Sequence, residues 1–116
     1  MIPPDEQSVL DDLFGPGVEE RLEAGRRLII LPTVPLPAGC APVSAFGIYV
    51  ASQYAGYDTR LFLGSQVRLA SGTVPALTTD ILCGRTMHSA SWNGVPASLP
   101  LHQGILAHLR RFEAAA

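Results

Sequence analysis

Proline and glycine set the first limit on this chain. Ten prolines and eleven glycines are spread through its 116 residues. That is too many for a helix bundle, because proline breaks the helical hydrogen-bond ladder and glycine costs about 1 kcal/mol of helix stability relative to alanine. They are also too evenly spread to mark a disordered tail, and a hydrophobic content of 47% argues against disorder. The apolar run from Leu28 to Val43 is cut by Pro32, Pro35, Pro37 and Pro42. It therefore cannot supply the roughly 20 uninterrupted apolar residues of a membrane span. The expectation is one domain over residues 1–116, built from short elements.

The periodicity places those elements. Gln7 to Phe14 reads as a short helix, with Val9, Leu10, Leu13 and Phe14 on one stripe, stopped by Gly15-Pro16-Gly17. Residues 18–31 admit a second helix or a hairpin. The hairpin is favoured, with a strand near Val18–Leu22, a turn at Ala24-Gly25 and a strand at Arg27–Leu31. The continuous run Leu28-Ile29-Ile30-Leu31 marks that second strand as buried. Pro35-Leu36-Pro37-Ala38-Gly39 is a turn by composition. Val43 to Ser52 is the clearest strand and is apolar on both faces, with Gly47 marking a bulge. Thr59 to Leu63 is another. Gly64 to Asn93 reads as a long irregular segment, the kind that carries function in small domains. Ser98 is expected to cap a last helix, with Pro100 in its first turn and Leu101, Ile105, His108, Leu109 and Phe112 facing the core. The loops between strands are too short for helical crossovers, so the sheet should be an antiparallel meander of about four strands. The fold class is α+β.

Charge narrows the function classes. The eight basic residues are all arginines, no lysine occurs, and the net charge is −2. Nucleic acid is therefore not an expected partner, and neither is a membrane. The opening Met1-Ile2-Pro3-Pro4-Asp5-Glu6-Gln7 has neither the basic region nor the apolar core of a signal peptide. With two cysteines and no export signal, reduced thiols in the cytoplasm are expected.

Cys83 is the first candidate for chemistry. It lies in Asp80-Ile81-Leu82-Cys83-Gly84-Arg85, where Arg85 and His88 are close enough in sequence to favour a thiolate. Gly84 leaves room for another backbone to approach the sulfur. The competing reading is a buried cysteine acting as a small hydrophobe. Cys40, in a proline- and glycine-rich turn without a neighbouring base, reads as structural. His88, His102 and His108 form no metal signature, since no CxxC and no His pair at i, i+4 occurs. Trp92, the single tryptophan, reads as an aromatic pinning the long loop to the last helix.

Several of these pieces, in this order, resemble the ubiquitin-conjugating (E2) fold, and in particular the bacterial E2-like proteins that accompany ubiquitin-like modifiers. Leu36-Pro37-Ala38-Gly39-Cys40 is similar to the Leu-Pro-x-Gly element before the central strand. Gln53-Tyr54-Ala55-Gly56-Tyr57 stands where E2 proteins carry a Pro-x-x-Tyr-Pro turn. Cys83, followed by Trp92, Pro96 and a final helix, resembles the active-site cysteine and its downstream Trp-x-Pro. The likeness covers roughly residues 18–112. The His-Pro-Asn tripeptide of E2 enzymes is missing, because no His or Asn lies between Ser71 and Leu82, and Thr78, Thr79 and Asp80 are the nearby polar residues.

The resemblance implies a UBC-like fold: an N-terminal helix, a four-strand meander, a long active-site loop and a C-terminal helix. It implies a transferase in a bacterial ubiquitin-like conjugation pathway, with antiphage defence as one setting. Cys83 would accept a ubiquitin-like protein from an E1-like activating enzyme as a thioester and pass it to an amine. The backbone N–H of Gly84 would serve the oxyanion, with Thr79 a weaker choice, and Asp80 or His88 would orient or deprotonate the amine. Trp92 and Pro96 would be structural. No cofactor or metal is implied, because the E1 spends the ATP. The absence of lysine would spare such a carrier from modifying itself. The alternative is a non-catalytic module that binds an E1 or a ubiquitin-like protein.

Overall fold

In the computed structural model the described residues are 2–52, 56–69, 77–90 and 94–115. The chain opens with helix α1, Pro4–Phe14. Proline in its first turn costs no helical hydrogen bond, and Asp5 and Glu6 there suit the positive end of the dipole. Gly15, at φ 93°, ends the helix and donates its N–H to the Asp11 carbonyl at 3.0 Å. Gln7 and Asp11 then clamp the following turn. The Gln7 amide donates to the Val18 carbonyl at 2.7 Å, and the Asp11 carboxylate accepts the Val18 N–H at 3.2 Å.

Among the described residues six strands follow: β1 (Glu19–Glu23), β2 (Arg26–Pro35), β3 (Ser44–Val50), β4 (Arg60–Leu63), β5 (Leu77–Leu82) and β6 (Arg85–Ala90). Helix α2, Leu101–Ala115, closes the chain. All the pairings are antiparallel, in the order β1-β2-β3-β4-β6-β5. The β1–β2 hairpin settles residues 18–31 in favour of strands, with Ala24 (φ 52°) and Gly25 (φ 75°) at its two-residue turn. Two adjacent positive φ angles match the twist of the flanking strands.

The expected UBC-like plan is not what the chain forms. A four-strand meander leading into a long active-site loop is replaced by six strands in one half-barrel sheet. Much of the expected loop, residues 64–93, is the β5–β6 hairpin, which joins the sheet through the single pair Leu63–His88. The alternation that marks this hairpin is masked by its polar composition, Thr78-Thr79-Asp80 and Thr86-Met87-His88-Ser89. Ser98 does not cap α2 either. The Pro100 carbonyl accepts the first helical bond from Gly104 at 3.0 Å, and the Leu101 N–H is taken by the Glu6 carboxylate of α1. Among the described residues, no helix is long and apolar enough to cross a membrane.

Two apolar layers lie on opposite faces of the sheet. On one face Ile29, Leu31, Tyr49, Leu61 and Leu63 pack with Leu10 and Phe14 of α1 and Leu101, Ile105, Leu109 and Phe112 of α2. On the other, Leu28, Ile30, Ile48, Val50 and Phe62 pack with Leu82 and Met87 of the β5–β6 hairpin. The bulge sits on β2 rather than β3, since Pro32 and Thr33 oppose Phe46 alone. A bulge is one of the few places where a strand tolerates proline. It brings Val34 so near β3 that a Cβ at Gly47 would stand 2.6 Å from a Val34 methyl.

Gly104 makes an analogous close approach between α2 and the sheet, where a Cβ would meet the Tyr49 hydroxyl and stand 2.9 Å from Cζ. Helix propensity alone would reward Gly104→Ala by about 1 kcal/mol. Overpacking a filled core costs about 1–3 kcal/mol, and Tyr49 is buried and cannot swing aside. Gly104→Ala is therefore expected to lower the urea midpoint. An unchanged or raised midpoint would show that α2 is free to shift.

Candidate functional site

Cys83 and Gly84 are the two central residues of the β5–β6 turn, between the paired Leu82 and Arg85. Their φ angles of 51° and 74° repeat the geometry of the Ala24-Gly25 turn. Gly84 is needed for this conformation, and a Cβ there would meet nothing within 4 Å. Cys83 adopts it at some conformational cost, because side chains disfavour the left-handed region. The turn packs against the end of β1. The Cys83 N–H donates to the Glu23 carboxylate at 3.0 Å, joining residues 60 apart in sequence and tying the two edge strands together.

This contact governs the thiol. Burial pushes the Cys83 thiol above its ordinary pKa, and the Glu23 carboxylate adds to the shift by opposing a second negative charge. Arg21 acts the other way. Its guanidinium, however, is held by Glu19 at 2.6 Å, which neutralises much of its field. Half-buried Cys83 also packs at the margin of the Leu28–Met87 layer beside Phe46, and Arg85 is spent covering the Phe46 ring at 4.2 Å.

The other candidates stand apart from the sulfur. His88 lies three residues along β6 from Arg85, about 10 Å at the rise of a strand. Its Nδ1 is hydrogen-bonded to Thr79 Oγ1 at 3.1 Å. The Asp80 carboxylate accepts the N–H of its neighbour Ile81 at 2.8 Å. Pro96 is exposed and precedes the turn into α2. Trp92 lies outside the described residues, as do Gln53, Tyr54 and Ala55. Cys40 is buried, and burial raises its thiol pKa too. Among the described residues, no three His, Cys, Asp or Glu side chains come together as a cluster that could hold a metal ion.

Glu23 and Arg21 are the site residues that sequence reasoning missed. Their spacing from Cys83 carries no local signal, and only sheet curvature brings them together.

A second polar group lies under α2. Thr59 Oγ1 donates to the Val95 carbonyl at 2.9 Å, so it accepts from His108 Nε2 at 2.9 Å, which places the proton on Nε2. Tyr49 stands edge-on to the His108 ring at 5.9 Å and also interacts with Thr59. Thr59 and His108 are buried, so the pair fastens the helix to the sheet rather than facing substrate. Nearby, Arg60 donates to Thr78 Oγ1 at 2.7 Å and lies over the Tyr57 ring at 4.7 Å.

No family model, no curated protein and no solved structure matches the chain.

Burial lowers the His108 pKa from 6.5 to about 4, with the charges of Arg111 and Arg60 adding to the effect. The unfolded chain therefore takes up a proton near pH 6.5 that the native protein refuses until about pH 4. The stabilisation is complete above pH 6.5 and is lost as the pH falls through that window. At 1.36 kcal/mol per pKa unit the loss is about 3 kcal/mol. Urea midpoints should fall between pH 6.5 and 4.5 and flatten in His108→Gln, which retains a donor for Thr59. Equal slopes in the two proteins would exclude His108 as the origin.

Proposed function

We propose that this chain is a non-catalytic protein-binding module in a ubiquitin-like conjugation pathway, with an E1-like enzyme or a ubiquitin-like protein as its partner. The observation that carries the non-catalytic part is the setting of Cys83. Its thiol is raised in pKa by burial and by Glu23, while His88 and Asp80 are engaged elsewhere on the hairpin. A thioester carrier needs a thiolate and a base or oxyanion donor beside it. The pathway itself rests on the local likeness of Leu36-Pro37-Ala38-Gly39-Cys40 and of the Cys83 to Pro96 segment to bacterial E2-like proteins.

One observation favours the thioester-carrier reading. Cys83 is half-exposed at the tip of a hairpin, and Arg21 stabilises its thiolate. Under that reading the lysine-free surface protects the loaded protein from its own acyl group.

Two measurements separate the readings. In a pH titration of thiol alkylation, with Cys83→Ser as the blank, Cys83 should titrate above a free cysteine peptide run alongside. The protein is then mixed with an E1-like enzyme, a ubiquitin-like protein and ATP and run on a non-reducing gel. Co-purification without a reducible adduct is expected, and Cys83→Ser should bind equally. A thiol-sensitive adduct that disappears in Cys83→Ser would overturn the module and establish the carrier. Absence of both adduct and binding would remove the pathway itself.

A further inference from the structure

The outward faces of the two helices carry opposite charge. Helix α1 has four acidic residues, Asp5, Glu6, Asp11 and Asp12, and no basic one. Glu6 and Asp11 are spent on Leu101 and Val18, whereas Asp5 and Asp12 are exposed. To one side of them stand Val9 and Leu13, at 38% and 39% exposure, one helical turn apart. Helix α2 presents half-buried Leu106 and Ala107, then exposed Arg110. Beside it a cavity of about 270 Å³ is lined by Leu36, Pro37, Leu106, Leu109 and Arg110. Neither Asp12 nor Arg110 has an ion-pair partner among the described residues.

The two helices also share a direction. Glu6 meets Leu101 at their N-terminal ends, while Gly15 approaches Pro32 and the α2 cavity opens against Pro35–Pro37, all in the later half of β2 and the turn after it. Asp12 lies six residues beyond Glu6 and Arg110 nine beyond Leu101, about 9 Å and about 14 Å along their axes. Leu13, at about 10 Å, is level with the span from Leu106 to Leu109.

We infer that the chain forms a two-fold dimer through this helical layer. Its axis runs between the helices and parallel to them, so that α1 of each copy lies on α2 of the other. Asp12 then faces Arg110 of the second copy within one helical turn, and Leu13 enters the cavity beside Leu106. Such a contact is isologous and closes on itself. The charge complementarity is what selects a second copy: acidic α1 and exposed Arg110 of α2 lie on neighbouring helices of one surface, and a two-fold rotation superposes each on its opposite. The inference is independent of the pathway assigned above.

The test is sedimentation velocity on the full chain from micromolar to millimolar concentration, at low and high salt. A dimer that grows with concentration and weakens with salt is expected. Asp12→Arg and Arg110→Glu should each weaken association about tenfold or more, because like charges then face each other. The double variant Asp12→Arg/Arg110→Glu should restore it to within about threefold, which a merely damaged surface would not do. Urea midpoints check that each variant is folded, and Asp12→Asn and Arg110→Gln replace any that is not. A monomer at every concentration, singles that match the wild type, or a double variant as weak as the singles would each overturn the dimer. So would a dimer abolished instead by Leu22→Arg on edge strand β1.

Discussion

Four consecutive apolar residues, Leu28 to Leu31, impose the architecture. A strand alternates its side chains between two faces, so Leu28 and Ile30 point one way and Ile29 and Leu31 the other. Both faces of the sheet must then be shielded from water. The two helices shield one, and among the described residues nothing helical covers the other. The β5–β6 hairpin fills that role by curling the sheet, laying Leu82 and Met87 over Leu28, Ile30, Ile48, Val50 and Phe62. At about 1.5–3 kcal/mol for each large side chain buried, an uncovered second face would cost more than a small domain's net stability.

That curl determines what Cys83 can do. It brings the tip of the hairpin to the end of β1, where the Glu23 carboxylate accepts the Cys83 N–H. The same contact that joins the edges of the half-barrel sets a negative charge beside the sulfur and raises its pKa. Structural use and nucleophilic use of this cysteine are in tension, and the cation that favours its thiolate, Arg21, is already paired with Glu19. The polar residues that looked like catalytic support are instead the outward and inward faces of two strands. His88 bonds across the hairpin to Thr79, and Asp80 closes on its own neighbour.

The helical layer has a comparable division of labour. Its inner side is held by close approach and by buried polar contacts: Gly104 against Tyr49, and His108 against Thr59. Keeping His108 neutral spares the core a buried cation beside Arg60 and Arg111. The outer side carries exposed Asp5 and Asp12 on α1 and exposed Arg110 on α2, a segregation that the core does not require. Surface charges placed without structural use are free to serve recognition.

What was legible in the sequence was local. The α1 helix and its Gly15-Pro16-Gly17 stop, the Ala24-Gly25 turn, the buried Leu28–Leu31 strand and the two-faced Ser44–Val50 strand follow from periodicity and turn chemistry, which act over a few residues. Of the expected α1 stripe only Leu10 and Phe14 are buried, and Val9 and Leu13 stand outside the core. The β5–β6 hairpin was hidden because its strands are polar on one face and interrupted on the other, so their pattern resembles a loop. The UBC-like plan failed for the same reason, since order of motifs does not specify pairing. The cap of α2 was misplaced because Glu6 arrives from the far end of the chain. The partners of Cys83 lie 60 residues away, and the partner of His108 lies 49 away. Sequence alone therefore determined where α1, β1 to β4 and α2 form and that β2 and β3 are apolar on both faces. Only the tertiary structure decided what lies beside Cys83 and His108, because the charge and dielectric felt by a side chain come from neighbours in space, and those are chosen by how the two apolar faces of the sheet are covered.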